Sequence, residues 1–136
     1  MKIALKLRPA DIVVFNQSLE LSAQRVINAA NAGLDTASSH AFASAQAKTP
    51  RVTGALASSG KLTSDNVGLL LRRTISYGDA TTNPKTKEAT SKYAPMVHEV
   101  FNPKHPNSYK WLEYSLREYG KEQFLNDLAA NIKSAL

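Results

Sequence analysis

The 136-residue chain contains no cysteine. Disulfide bonds, thiolate metal sites and cysteine nucleophiles are therefore excluded. No apolar run approaches the roughly 20 residues that a membrane-spanning helix needs, and the basic N-terminal segment lacks the apolar stretch of a signal peptide. We therefore expect a soluble protein that is not exported and is assembled in a reducing cytoplasm.

The chain also lacks the sequence signatures of common catalytic sites. Its six glycines fit neither a P-loop nor a dinucleotide-binding loop, and no Gly-x-Ser-x-Gly motif is present. His40 is expected on a helix surface. His98 and Glu99 are adjacent, so on a strand they would point to opposite faces and could not easily bind one metal; His105 could join His98 only if the chain folds back. We predict no catalytic residue, no cofactor and no metal, and hence no enzyme.

The composition is that of a globular protein, with 43% hydrophobic and 21% charged residues. This length predicts a single domain over residues 1–136. Seventeen basic residues against eleven acidic ones give a formal net charge of +6, which permits contact with nucleic acid or with an acidic protein surface. The basic residues are scattered, and Arg72-Arg73 is their only doublet. The charge therefore has two possible interpretations, a generally basic surface in contact with solvent or a binding site for nucleic acid.

The N-terminal part of the chain changes from a strand pattern to a helical one. Apolar residues alternate with others over residues 1–8, which predicts a short strand. Residues 18–48 carry an apolar stripe at spacings of three and four, mostly of alanine, which predicts a long helix. Gly33 weakens this helix and predicts a bend there. Pro50 predicts the end of the helix, because the residue before a proline is steered away from helical geometry.

The remaining patterns predict an α+β fold. Residues 56–100 predict an antiparallel β-meander, whose last strand, at Tyr93–Val100, would be an edge strand or a bulge because of Pro95. Residues 79–91 contain no large apolar residue and predict a long, mobile polar loop between the second and third strands. Residues 108–135 predict a C-terminal helix with a break at Gly120. We expect Trp111, Leu112 and Leu116 to anchor this helix on the sheet.

Three segments in this order resemble the neck, tail-completion and minor-capsid proteins of tailed phages. Residues 48–59 (KTPRVTGALASS) resemble the pattern that ends the long helix of these proteins, a Pro followed by Val-x-Thr-Gly-x-Leu-x-x-Ser. Residues 93–99 (YAPMVHE) are similar to the Tyr-Ala-x-x-Val-His/Glu-Glu segment of the family. Residues 108–116 (SYKWLEYSL) are similar to the start of its last helix. Together with the preceding helix, the resemblance covers roughly residues 18–136.

The resemblance implies a structural virion protein that forms a ring at the head–tail junction or at the top of the tail. It further implies assembly in the host cytoplasm as a hexamer or dodecamer. The implied neighbours are connector, portal-side or tail-tube proteins, and passing DNA would be contacted through its phosphates without base recognition. Head–tail connector, tail-completion and tail-terminator rings share similar small subunits, so the position in the particle stays open.

The resemblance also implies which residues matter. For the selected residues in the matching segments, we favour a role in packing or in turn geometry. These residues are Pro50, Thr53, Gly54, Leu56, Tyr93, His98, Glu99, Trp111, Leu112 and Leu116. Ala57 stands where the family often carries a basic residue, so no basic role is expected there. The candidates for contacts in the lumen or between rings are Arg72, Arg73, Lys85, Lys87 and Lys92. Arg72 and Arg73 would face opposite sides of their strand, so at most one would line a channel.

Two other functions are open. A stand-alone basic nucleic-acid-binding module would use the net charge of +6, although the five tyrosines are not arranged as a stacking platform on paired strands. A small hydrolase or metalloprotein would retain a metal or depend on His98 or Glu99. For the polar loop at 79–91, a plain solvated hairpin loop is the alternative to a contact with a neighbouring ring.

Overall fold

A computed structural model of the chain describes residues 2, 4, 8–67, 70–119 and 121–135. Within these ranges the protein has five α-helices and one two-stranded antiparallel sheet, and about 63% of the chain is helical and 13% strand. The predicted α+β class is confirmed. The elements in chain order are α1 (Pro9–Lys48), α2 (Ala55–Ser58), β1 (Lys61–Val67), β2 (Leu70–Ser76), α3 (Thr90–Glu99), α4 (Trp111–Tyr119) and α5 (Lys121–Ala135).

Helix α1 has 40 residues and is therefore about 60 Å long. It begins at Pro9, whose fixed φ suits the first helical position. The Asp11 carboxylate accepts the backbone N–H of Arg8 at 3.1 Å. The predicted start at Ser18 was wrong, because Pro9 and Asp11 supply an earlier start than the serine. The predicted strand over residues 1–8 falls largely on residues 1, 3 and 5–7, which lie outside the described residues.

The C-terminal helices α4 and α5 pack mainly along α1 rather than on the sheet. The pairs Lys48–Glu118 and His40–Asp127 show that the C-terminal segment runs antiparallel to α1. At Gly33 the two helices come very close, since a Cβ there would lie 2.9 Å from Leu128 Cδ1. The glycine therefore permits a close approach. The single C-terminal helix predicted over 108–135 is two helices; Gly120, the predicted break, lies outside the described residues.

The sheet is a hairpin and not the predicted meander over 56–100. Its register runs from Lys61 opposite Ser76 to Val67 opposite Leu70. The first strand was predicted to begin at Leu56, and this beginning is wrong. Leu56 lies in α2 and is buried in the core, and β1 begins at Lys61.

The expected third strand at Tyr93–Val100 is wrong, because this segment belongs to helix α3. The backbone N–H groups of Thr90 and Ser91 donate to the carbonyls of Thr81 and Asp79 at 2.8 and 3.1 Å. These bonds satisfy two donors at the start of the helix that have no partner within it. Pro95 is accommodated inside the helix.

The core lies beside the C-terminal end of α1. Ala45, Leu56, Ala94 and Trp111 are buried there, so the helices α1, α2, α3 and α4 meet at one point. Tyr77, Tyr93, Val97 and Leu112 are partly buried against these residues. None of the described helices is long and apolar enough to cross a membrane.

Candidate functional site

The turn after α1 and helix α3 form a cleft, which brings the first two of the three motif segments together. The cleft has a volume of about 320 Å³, and Pro50, Thr53, Leu56 and Tyr93 all contribute to its lining. Val97, one helical turn after Tyr93, completes the apolar side. The structure therefore places four of the sequence-predicted residues around one concave surface.

The turn itself has the geometry that its residue types favour. Gly54 has a φ of 77° and precedes the first residue of α2, a backbone conformation in which most side chains would be strained. The Thr53 hydroxyl accepts the N–H of Ala55 at 3.4 Å. Leu56 then enters the core. The turn thus aims one apolar residue inward and leaves Val52 exposed on its outer side.

His98 and Glu99 contact each other instead of separating onto two faces of a strand. His98 Nδ1 lies 2.7 Å from a Glu99 carboxylate oxygen. The imidazole packs edge-on against Trp111, with ring centroids 4.9 Å apart, while its Nε2 is buried without a hydrogen-bond partner. The expectation that the two side chains diverge was therefore wrong, because it assumed a strand. Packing against the core is the role that this geometry indicates for His98.

Of the three residues expected to anchor the last helix, two reach the core. Trp111 is only 2% exposed and meets Tyr77 edge-on at 5.6 Å between ring centroids, and Leu112 packs beside it. Leu116 is 51% exposed, so the expectation that it anchors the helix on the sheet was wrong. On a helix Leu116 lies about 140° around from Trp111, whereas Ser115 occupies the buried position.

The aromatic cluster contains one buried hydroxyl. Burial raises the pKa of Tyr77, and the charge of Arg51 offsets part of this rise. The Tyr77 hydroxyl has no hydrogen-bond partner. Its neighbours Trp111 and Phe42 are aromatic. This arrangement is that of a packing cluster, with no nucleophile beside a base.

The two adjacent arginines lie on opposite faces of β2. The Arg73 side chain is 4% exposed and its Nε donates to an Asp35 carboxylate oxygen at 2.5 Å. It also donates to Asn31 on α1. Arg72 is exposed and pairs with Asp65 on the opposite strand. Both charges therefore already have acidic partners within the chain.

The polar segment at 79–91 is organised by its own hydrogen bonds. Asn83 donates its N–H to the Glu88 carbonyl and accepts that of Lys87, both at 2.8 Å. Thr90 is fully buried; its hydroxyl accepts the N–H of Asp79 at 2.8 Å. A mobile loop was expected because the segment has no large apolar residue, but backbone hydrogen bonds and the Thr90 hydroxyl close it. The exposed lysines of this region are Lys85, Lys87 and Lys92.

A second groove adjoins the cleft and was not predicted from the sequence. It has a volume of about 440 Å³ and shares Pro50, Val52 and Val97 with the cleft. Met96 and Val100, one helical turn apart, add exposed apolar surface to it. Reading residues 93–100 as a helix would have placed these two side chains on one face. We call the joined surface the turn–α3 groove.

The N-terminal half of α1 is the other apolar surface that the sequence reading missed. Helix α5 runs antiparallel to α1, and burial on α1 begins only at Ile27, so residues 9–26 extend beyond the packed part of the helix. The described side chains there are exposed, apart from the half-buried Asp11. Three exposed side chains at intervals of seven residues share one face, and we call them the α1 ridge: Ile12, Leu19 and Val26. The sequence did not predict the α1 ridge, because the predicted helix began at Ser18 and left Ile12 outside it.

No metal site is found in the part of the chain that the structure describes, since no three His, Asp or Glu side chains there are grouped to hold an ion. Comparison with protein-family models, with curated proteins and with solved structures found no match to this chain.

Proposed function

We propose that this chain is a structural virion protein of a tailed bacteriophage, a ring-forming subunit of the neck. The position would be that of a head–tail connector, tail-completion or tail-terminator protein. The resemblance of residues 48–59, 93–99 and 108–116 to that family supports the phage assignment. The exposed surface of the chain supports the need for neighbouring subunits. The two arguments are independent, because the second does not use the motifs.

The accessible surface carries the assembly part of the proposal. The chain of 14.8 kDa exposes 9660 Å², whereas a compact monomer of this mass exposes about 7000 Å². The excess of roughly 2700 Å² exceeds the roughly 1600 Å² that a subunit buries in two interfaces of standard size. A ring subunit has two such interfaces, one with each neighbour. The chain therefore has surface available for both contacts.

The excess surface includes apolar areas of the kind that interfaces cover. Large apolar side chains are exposed along the N-terminal half of α1, including the α1 ridge, and around the turn–α3 groove. Scattered exposed apolar residues are ordinary, but contiguous apolar surface marks interaction sites. This distribution favours an assembled protein over an isolated domain.

Contact with DNA would rest on the exposed lysines rather than on the arginine doublet. Arg73 is buried in contacts with α1, and Arg72 is paired with Asp65. Lys85, Lys87 and Lys92 are free to face a lumen or a neighbouring ring. Lysine side chains that contact phosphates carry no base recognition, so such contacts would be independent of the DNA sequence. These three lysines are our candidates for such contacts.

The deciding experiment is the mass of the purified chain by light scattering over a concentration series, with negative-stain microscopy of the same samples. We expect closed rings of six or twelve subunits, with a lumen wide enough for duplex DNA. A monomer at every concentration would contradict the proposal for this chain. If that monomer also bound bare DNA with a strong salt dependence, the chain would instead be a nucleic-acid-binding module.

A further inference from the structure

We infer that the α1 ridge of one copy docks in the turn–α3 groove of the next copy, so that the ring contact is head-to-tail. This inference rests on the proposed function and names the two surfaces that meet. One is convex and consists of Ile12, Leu19 and Val26. The other is concave, and exposed Val52, Met96 and Val100 contribute to it.

The two surfaces belong to one chain but cannot meet within it. Leu19, in the ridge, lies on α1, and Pro50, in the groove, follows directly after the end of this helix. The roughly 31 residues between them correspond to about 45 Å along a straight helix. A ridge at one end and a groove at the other can be joined only between two copies. A contact between unlike surfaces is heterologous, and it generates a ring when the rotation closes.

The ridge is the outward continuation of a face that is already used for packing. On α1, Ile12, Leu19 and Val26 lie close to the line of Ala37 and Ala41, which are buried. The same helical face is therefore covered in the C-terminal half and uncovered in the N-terminal half. Helices α4 and α5 pack along α1, and the described side chains of α1 before Ile27 are exposed, apart from the half-buried Asp11. A second copy would extend the cover along the rest of the face.

The area of exposed surface argues for a second copy as the occupant. Surplus surface of roughly 2700 Å² exceeds what one ridge–groove pair needs, about 800 Å² on each partner. Each subunit in a ring contributes its ridge to one neighbour and its groove to the other. Both apolar surfaces are then covered in every copy, which a single foreign partner at one site would not achieve.

The absence of cysteine from the chain makes disulfide trapping a clean test. We would prepare the double variant Leu19→Cys/Met96→Cys and oxidise the assembled protein. A head-to-tail contact joins each copy to the next, so the expected product is a covalent ladder that ends at the ring size. Each single variant should give no covalent dimer, because each then supplies only one side of the contact.

The matched control moves the ridge cysteine to the opposite face of the same helix. Leu21 is as exposed as Leu19, at 64% against 52%, but it points about 160° away. The double variant Leu21→Cys/Met96→Cys should therefore form rings and give no ladder. A ladder of equal yield from this control would overturn the inference, since it would reflect mobility rather than a defined contact.

A charge placed on the ridge gives a second readout that does not depend on disulfide geometry. Leu19→Glu should raise the concentration needed for half-assembly at least 100-fold, whereas Gln17→Glu on the same exposed helix half should change it less than 3-fold. Because Leu19 is exposed in the single chain, circular dichroism and Trp111 fluorescence should not change.

The outcomes separate this inference from the proposed function. Rings that form normally in Leu19→Glu, or that give no ladder in Leu19→Cys/Met96→Cys, would overturn the docking and leave the ring subunit standing. Covalent dimers from Leu19→Cys alone would show ridge-to-ridge contact and would also overturn it. A chain that never self-associates would contradict both proposals.

Discussion

Gly33 on α1 lies directly against Leu128 on α5, so close that a Cβ would be 2.9 Å from Leu128 Cδ1 and 3.0 Å from its Cα. The Cα belongs to the backbone and cannot rotate away. A side chain at this position must therefore push the two helices apart. The antiparallel α1–α5 pair therefore depends on a residue without a side chain at this contact.

Replacing this glycine should destabilise the fold. We expect Gly33→Val to lower the free energy of unfolding by about 2 kcal/mol, the usual cost of overpacking a close contact. The adjacent Ala32 is exposed, so Ala32→Val should cost no more than about 0.5 kcal/mol. Urea unfolding followed by Trp111 fluorescence measures both. Equal effects of the two substitutions would show that the close approach contributes nothing.

The two adjacent arginines should differ strongly in their contribution to stability. Arg73→Ala removes hydrogen bonds to Asp35 and Asn31 from a nearly buried side chain, and we expect a loss of about 2 kcal/mol. Arg72→Ala removes an exposed ion pair with Asp65 and should cost no more than about 0.5 kcal/mol. Chemical denaturation of both variants gives the comparison, and a larger loss from Arg72→Ala would contradict the assignment.

Acid should weaken the anchoring of α3 through Asp79. Its hydrogen bond with Lys61 and those with Thr81 hold the pKa of Asp79 well below its ordinary value. A lowered folded pKa means that the contribution is present above about pH 4 and is lost as the pH falls through the folded pKa. Thermal unfolding from pH 5 to pH 2 should therefore show a smaller decrease in Tm for Asp79→Asn than for the parent chain.

The control for this pH effect is an exposed carboxylate in the same segment. Glu88 is exposed, and Glu88→Gln should leave the acid profile close to that of the parent. If Asp79→Asn and the parent chain lose Tm in parallel below pH 4, the ion pair with Lys61 does not contribute to folding.

At high pH the contact between α4 and α5 should weaken. Burial and the hydrogen bond that Tyr119 donates to Asp127 raise the pKa of Tyr119 to about 12. Because the folded pKa lies above the usual value of about 10, this contribution is complete below pH 10 and is lost as the pH rises toward 12. The parent chain should lose more stability over that interval than Tyr119→Phe.

Other tyrosines and lysines also ionise in this interval, so only the difference between the two proteins is informative. Tyr114 is exposed, and Tyr114→Phe provides the matched control, whose alkaline profile should follow that of the parent. Denaturant midpoints at pH 9, 10, 11 and 12 give the profiles. A Tyr119→Phe profile parallel to the parent would contradict the proposed role of Asp127.

Local sequence signals were sufficient where one chemical rule acts alone. Pro50 ends α1 where expected, and the alternation along β2 places Arg72 and Arg73 on opposite faces. Residues 93–100 were misread because their apolar spacing fits a strand as well as a helix. The choice depends on Thr90 and Asp79, whose hydrogen bonds hold the start of α3. Contacts between distant segments of this kind leave no periodic pattern.

The candidate surfaces were predictable only in part for a similar reason. The motif at residues 48–59 correctly drew attention to Pro50 and Leu56, which do line the cleft. The groove itself requires Val52 and Met96 to come together from two segments whose relative position follows from the core. Leu116 was misassigned because it was grouped with Trp111 by apolar character instead of by helical angle.

The exposed N-terminal half of α1, residues 9–26, affects the rate of assembly as well as its geometry. Eighteen residues of isolated helix are only marginally stable in water, so in a free subunit the amide hydrogens of residues 9–26 should exchange far faster than those of residues 29–48. Ordering that half costs about 1 to 2 kcal/mol of backbone entropy for each residue that is fixed. Association that covers residues 9–26 would therefore carry this ordering cost and proceed more slowly than the docking of two rigid surfaces.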